Sequence, residues 1–173
     1  MELPGVAPAA RRRAIVQAIL AWGLAGLGGA TALSARAVHT KNLPLAKDLQ
    51  ADGTSAHGRL PVLLFFDRDD CPYCERALRQ YLVPMSDEAP WKDRAIYRQV
   101  EIDQARPLID FAGTATTHRA FAGRYKVALT PTIVMVDGKG DALGAPLVGL
   151  MTPDFYAAYV EKAIDEAVQR LRG

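Results

Sequence analysis

The chain has two cysteines, and both fall in one four-residue stretch, Cys71-Pro72-Tyr73-Cys74. A thiolate is the attacking species in disulfide exchange, and a second thiol three positions on can displace whatever the first has captured. The reading depends on a helix starting here. Asp70 is a suitable N-cap, Pro72 suits the first turn, and Ala77, Leu78, Tyr81 and Leu82 recur at helical spacing until Pro84. At such a helix start, unpaired N–H groups and the positive end of the dipole favour a Cys71 thiolate. Cys74 then lies one turn deeper, within reach of the same sulfur. Cys71 is the expected nucleophile and Cys74 the resolving thiol. A bridge across so small a loop restricts the unfolded chain little, so a purely structural disulfide is a poor use of the pair.

The rival chemistry is metal binding. Cys71 and Cys74 would supply two ligands for zinc or copper, completed by a histidine among His39, His57 and His118. A closed zinc site needs four protein ligands, and these histidines lack ligand-like spacing to one another. Covalent haem attachment would require histidine where Glu75 stands. Redox chemistry with no metal and no cofactor is the primary expectation, and a metal-binding or delivery protein is the alternative.

The elements that position the pair can be read on either side of it. Val62-Leu63-Leu64-Phe65-Phe66 is a continuous apolar run of the kind a central strand buried on both faces needs. A second strand is expected from Ala95 to Asp103, with Ile96, Val100 and Ile102 apolar, and a long connection through Pro107 and Gly113 follows. A helix near Thr117–Lys126 precedes the strand Ile133-Val134-Met135-Val136, the turn Asp137-Gly138-Lys139-Gly140 and a strand near Pro146–Leu150. The last helix opens with Thr152-Pro153-Asp154 and carries Phe155, Tyr159, Ala163, Ile164, Ala167, Val168 and Leu171 on one face. Within the lead-in, one short helix is expected around Leu45–Leu49. A crossover between early strands followed by a hairpin predicts an α/β fold, with a mixed central sheet and helices on both faces.

This order, with Cys-x-x-Cys at a strand-to-helix junction, resembles the thioredoxin superfamily from about Val62 to Val168. Four segments carry the likeness: Phe66 through Cys74, Val100-Glu101-Ile102-Asp103-Gln104, Tyr125 through Thr132 with its Thr130-Pro131-Thr132, and Val148-Gly149-Leu150. The resemblance implies a cis Pro131 lying against the cysteines. It also implies that the Thr130 backbone, with Pro72 and Tyr73 beside it, receives an extended protein substrate carrying a disulfide or dithiol. A membrane redox partner that recycles the pair is implied too. The chain departs from thioredoxin itself at a buried acid six positions before the first cysteine, where Phe65 stands; Asp67, Asp69, Asp70 and Glu75 are the nearby substitutes. Thr130 before the proline is closer to periplasmic reductases and isomerases, so reduction is expected rather than general oxidation.

The N-terminus sets the expected location. Arg11-Arg12-Arg13 is followed by an uncharged stretch from Ala14 to Leu33 and by Ala35-Arg36-Ala37, a small-x-small cleavage pattern. Arg12-Arg13-Ala14-Ile15-Val16 resembles a twin-arginine signal. The same segment is long enough to serve as a retained membrane anchor, so both readings stay open. Either way the rest of the chain is delivered to the periplasm, with the arginines on the cytoplasmic side. The expected organisation is residues 1–37 as signal or anchor, 38–60 as lead-in and 61–173 as the thioredoxin-like domain. Of 21 basic and 19 acidic residues, four basic and one acidic lie in 1–37, leaving 17 against 18 beyond it. The body therefore carries no basic excess for nucleic acid.

Overall fold

The computed structural model describes residues 42–173; the expected signal or anchor, residues 1–37, lies outside them. In chain order the elements are α1 (Leu49–Ala56), β1 (Val62–Asp67), α2 (Pro72–Ala77), α3 (Val83–Asp87), β2 (Ile96–Glu101), β3 (Pro107–Ile109), β4 (Ala115–Thr117), α4 (His118–Arg124), β5 (Thr132–Val136), β6 (Leu147–Val148) and α5 (Tyr156–Arg172). The principal sheet has the order β2-β1-β5-β6. β1 pairs parallel with β2 and antiparallel with β5, which pairs antiparallel with β6. The sheet is mixed, as the sequence predicts.

All six residues of β1 are buried, because helices cover both faces of the sheet. Leu63 and Phe65 pack with Cys74, Ala77 and Leu82 and with Val160 and Ile164 of α5. Leu64 and Phe66 point the other way, to Leu49 of α1 and Phe121 of α4. The alternation of a strand explains the split: neighbouring side chains leave on opposite faces. It also puts Asp67 on the Cys74 face, two positions beyond Phe65.

Several boundaries differ from the sequence expectation. The helix expected around Leu45–Leu49 lies at Leu49–Ala56, capped by Asp48, whose Oδ1 accepts the Ala51 N–H at 2.8 Å. Leu45 instead bridges in parallel to Gln99. The helix after the cysteines continues past Pro84 to Asp87, through a widened π turn at Leu78–Leu82. Proline has no N–H to offer an α-helical acceptor, and a wider turn spaces the ladder around it. The long connection contains the β3–β4 hairpin, closed by Asp110, whose Oδ1 accepts the N–H groups of Ala112 and Thr114 at 3.0 and 2.8 Å. In α5 the buried stripe is Tyr156, Val160, Ile164, Ala167 and Val168, while Phe155 and Tyr159 lie outside it and are exposed.

Gly53 of α1 meets Gly138, in the turn after β5, main chain against main chain. A Cβ on Gly138 would fall 2.7 Å from the Gly53 carbonyl oxygen, and one on Gly53 would collide with the Gly138 carbonyl. Glycine is required at both places by this approach.

Candidate active site

The cysteine pair sits just past the carboxyl end of β1, which is flanked by β2 and β5 within the sheet. The connecting residues are fixed from β2's exit: the Asp69 N–H donates to Asp103 Oδ2 at 3.1 Å, and Gln104 Nε2 donates to Asp69 Oδ2 at 2.6 Å. Asp70 turns the chain with a left-handed φ of 53°, a conformation that aspartate tolerates better than most residues. Asp70 is therefore not the cap of α2. Cys71 is: its Sγ accepts the N–H of Cys74 at 3.2 Å, with Pro72 in the first turn. Cys71 occupies the position at which a helix start presents a free donor.

Cys71 and Cys74 are joined in a disulfide with their Cα atoms 5.2 Å apart. The two sulfurs differ in access. Cys74 is 2% exposed and belongs to the core, whereas Cys71 is half-buried at its edge. An incoming thiol or disulfide reaches Cys71 first. Tyr73, between them, is 65% exposed, and Leu129, across the site, is 66% exposed.

Thr130 and Pro131 close the other side, joined by a cis peptide bond. Pro131 is buried, and its carbonyl accepts the Gly149 N–H at 2.7 Å. The Thr130 carbonyl oxygen lies 4.0 Å from Cys71 Sγ. The Thr130 hydroxyl also faces that sulfur, donating from Oγ1 at 3.7 Å. Sequence reasoning assigned Thr130 only a backbone role; its side chain adds a second donor, beside the Cys74 N–H, aimed at Cys71 Sγ.

A cavity of about 480 Å³ opens against the disulfide. Asp67, Asp69, Asp70, Glu75 and Glu101 contribute five carboxylates to its wall, and among the residues lining it Arg68 is the single cation. Asp67 forms part of its floor. It is 6% exposed, accepts a hydrogen bond from Gln99 Nε2 at 2.6 Å, and leaves its Oδ1 buried without a partner. Burial, with Glu101, Asp103 and Asp69 nearby, pushes its carboxyl up to about 7 against the pull of the Gln99 bond. Of the four acids weighed from sequence, Asp67 is the buried one; Asp69, Asp70 and Glu75 are exposed. Gln99 was not anticipated. The available signal was a polar side chain opposite Phe65 in a strand that packs against a core, where a polar group needs a partner.

The histidines do not gather at the cysteines. His118 is buried, with Nδ1 accepting the Glu101 N–H at 2.9 Å and Nε2 2.8 Å from the Ala46 carbonyl, so both ring nitrogens are committed. His57 caps the end of α1, and His39 lies outside the described residues. Among the described residues no group of three or more His, Cys, Asp or Glu is placed to hold a metal ion.

Residues 48–164 match the family of thioredoxin-like domains, and the chain belongs to that family. Its fold and its cysteine pair define a thiol–disulfide oxidoreductase. Among solved structures it is similar to a thioredoxin-fold protein from Helicobacter pylori, at 25% identity over 64% of this chain and 73% of that one, with a TM-score of 0.50. It is also similar to the thioredoxin pre-protein of Schistosoma mansoni, at 20% identity over 72% of this chain and 97% of that one, TM-score 0.47. A third is a periplasmic thioredoxin of Paracoccus pantotrophus, at 22% identity over 62% and 98%, TM-score 0.44. No curated protein matches the sequence.

Proposed function

We propose that this chain is exported and reduces disulfides in proteins outside the cytoplasm, with a membrane redox partner restoring its dithiol. The observation that carries the reductive direction is the ring of carboxylates beside the disulfide, with Arg68 the single cation among them. Negative charge opposes a thiolate and so weakens the stabilisation of the reduced form that makes an oxidant. The donors on Cys71 Sγ keep enough thiolate character for attack. Tyr73 and Leu129 offer exposed apolar area on either side of Cys71 for a protein substrate, whose extended chain lies along the Thr130 backbone.

In the reaction, the Cys71 thiolate attacks one sulfur of the substrate disulfide, and the electron pair leaves on the other. Asp67, sharing the cavity with Cys74, accepts the Cys74 proton. The Cys74 thiolate then attacks Cys71 Sγ, closing the protein disulfide and releasing the substrate's second sulfur as thiolate. Substrate is reduced by two electrons and the protein dithiol is oxidised by two.

Insulin reduction driven by dithiothreitol, with the potential of the Cys71–Cys74 couple, tests this. The expected result is catalysis abolished by Cys71→Ser and a potential below about −200 mV, towards the reductive end of the family's range. An inactive chain, or a potential near the about −120 mV of strong oxidants, would count against it.

A further inference from the structure

The Asp67–Gln99 contact leaves a specific pair of atoms unexplained. Gln99 Nε2 donates to Asp67 Oδ2 at 2.6 Å, yet Asp67 Oδ1 and Gln99 Oε1 are both buried and both lack a partner. Each is an acceptor when Asp67 is ionised, and two buried acceptors cannot satisfy each other. One proton resolves both. A protonated carboxyl and a primary carboxamide are complementary, each offering one donor and one acceptor on the same side. We propose that Asp67 and Gln99 form a two-point carboxyl–carboxamide pair in the oxidised protein, with a proton on Oδ1 donated to Gln99 Oε1, and that Gln99 is the positioning residue for that proton.

The surroundings agree. Asp67 is 6% and Gln99 3% exposed, so water does not readily supply the missing donor. On β2, Glu101 faces Asp67 across the parallel register and is paired with Arg106. Asp103 and Asp69 lie beyond it, Asp70 and Glu75 line the same cavity from the α2 side, and Arg68 is the cation there. The Nε2 bond alone favours the carboxylate. A second bond, from Oδ1 to Gln99 Oε1, can form only in the acid form and offsets that pull, where a lysine would only favour the carboxylate.

The inference rests on the oxidoreductase reading for its use. The proton that leaves Cys74 when the protein disulfide closes is the one the pair retains, and it returns to the Cys74 sulfur when the disulfide is next reduced. Gln99 thus sets where that proton waits, in the wall of the cavity that Cys74 also lines.

The test uses the whole oxidised chain, labelled with ¹³C and ¹⁵N and titrated by NMR without substrate. Expected are a shared midpoint for Asp67 Cγ and the Gln99 side chain, above the ordinary carboxylate range, and a downfield move of Gln99 Cδ as Asp67 takes up its proton. The downfield sign marks a carbonyl that has gained a donor. In Asp67→Asn the titration at Gln99 should vanish. An upfield move, as expected if Gln99 only loses a charged acceptor for its N–H, or no move, or an Asp67 midpoint in the ordinary range, would overturn the pair. Because no turnover is involved, failure here leaves insulin reduction standing, and failure of insulin reduction leaves this titration readable.

Discussion

The Thr130 hydroxyl donates towards Cys71 Sγ across 3.7 Å, joining the Cys74 N–H at 3.2 Å on the same sulfur. Both donors strengthen when that sulfur is an anion. Thr130→Val keeps the shape and the backbone while removing the hydroxyl. The Cys71 thiol in the reduced protein should then titrate higher by about half to one pKa unit, the range of an ordinary hydrogen bond. Thr130→Ser should restore it. The check is the pH dependence of Cys71 alkylation.

Access separates the two cysteines. With Cys74 2% exposed and Cys71 at the core's edge, Cys74→Ser should accumulate mixed disulfides with substrate proteins, and Cys71→Ser should not. Non-reducing gels of trapped complexes read this out. Equal trapping by both variants, or by neither, would count heavily against the assignment of roles.

Asp67 ties stability to pH. Its folded value of about 7 lies above the ordinary 3.8, so between these the folded chain keeps a proton that the unfolded chain has released. That contribution to stability is present at low pH and is lost as the pH rises through about 7. Asp67→Asn keeps a polar partner for Gln99 and removes the titration. It should be more stable than wild type at mildly alkaline pH, by up to about 4 kcal/mol, with the gap closing as the pH falls towards the ordinary carboxylate range. Urea denaturation across pH measures it.

His118 works in the opposite sense. Burial lowers its folded pKa below 6.5, outweighing the Ala46 carbonyl, which favours the charged ring. Its stabilising contribution is complete above 6.5 and is lost as the pH falls through the lowered folded value. Protonating Nδ1 would also expel the Glu101 N–H that it now accepts. His118→Gln should flatten the acid side of the stability curve, at some cost at neutral pH from the altered hydrogen bonds.

Export is tested separately from catalysis. Residues 1–40 fused to a reporter that works only outside the cytoplasm should give signal, and Arg12→Lys with Arg13→Lys should abolish it. Signal unaffected by the double change would replace the twin-arginine route with the general secretory route or an anchor. A reporter retained in the cytoplasm would end the proposal of export.

Strong local patterns were legible and tertiary choices were not. The apolar run at Val62–Phe66 marked the central strand because burial on both faces leaves no polar position. That the cysteines lie next to Thr130 and Pro131 was readable because the motifs that place them are local or family-specific. The face of α5 was read correctly at Ile164, Ala167 and Val168 but misread at its start. Phe155–Tyr159–Ala163 and Tyr156–Val160–Ile164 are both apolar at helical spacing, and the tilted ring contact of Tyr156 with Tyr81, far away in sequence, selects the second. Pro84 looked like a stop because a widened turn has no sequence signature. Asp67 was visible only as one acid among four, since its burial depends on β2 and α2 closing around it.

The meeting of Gly53 with Gly138 has a genetic consequence. When two side chains collide, shortening one relieves the other, so a harmful substitution often has a suppressor at its contact partner. Here the partner already has no side chain to shorten. Gly53→Ala and Gly138→Ala should each destabilise the fold, and no replacement at the other glycine should rescue either. Revertants selected from Gly53→Ala should restore glycine or map to distant stabilising positions, leaving Gly138 untouched.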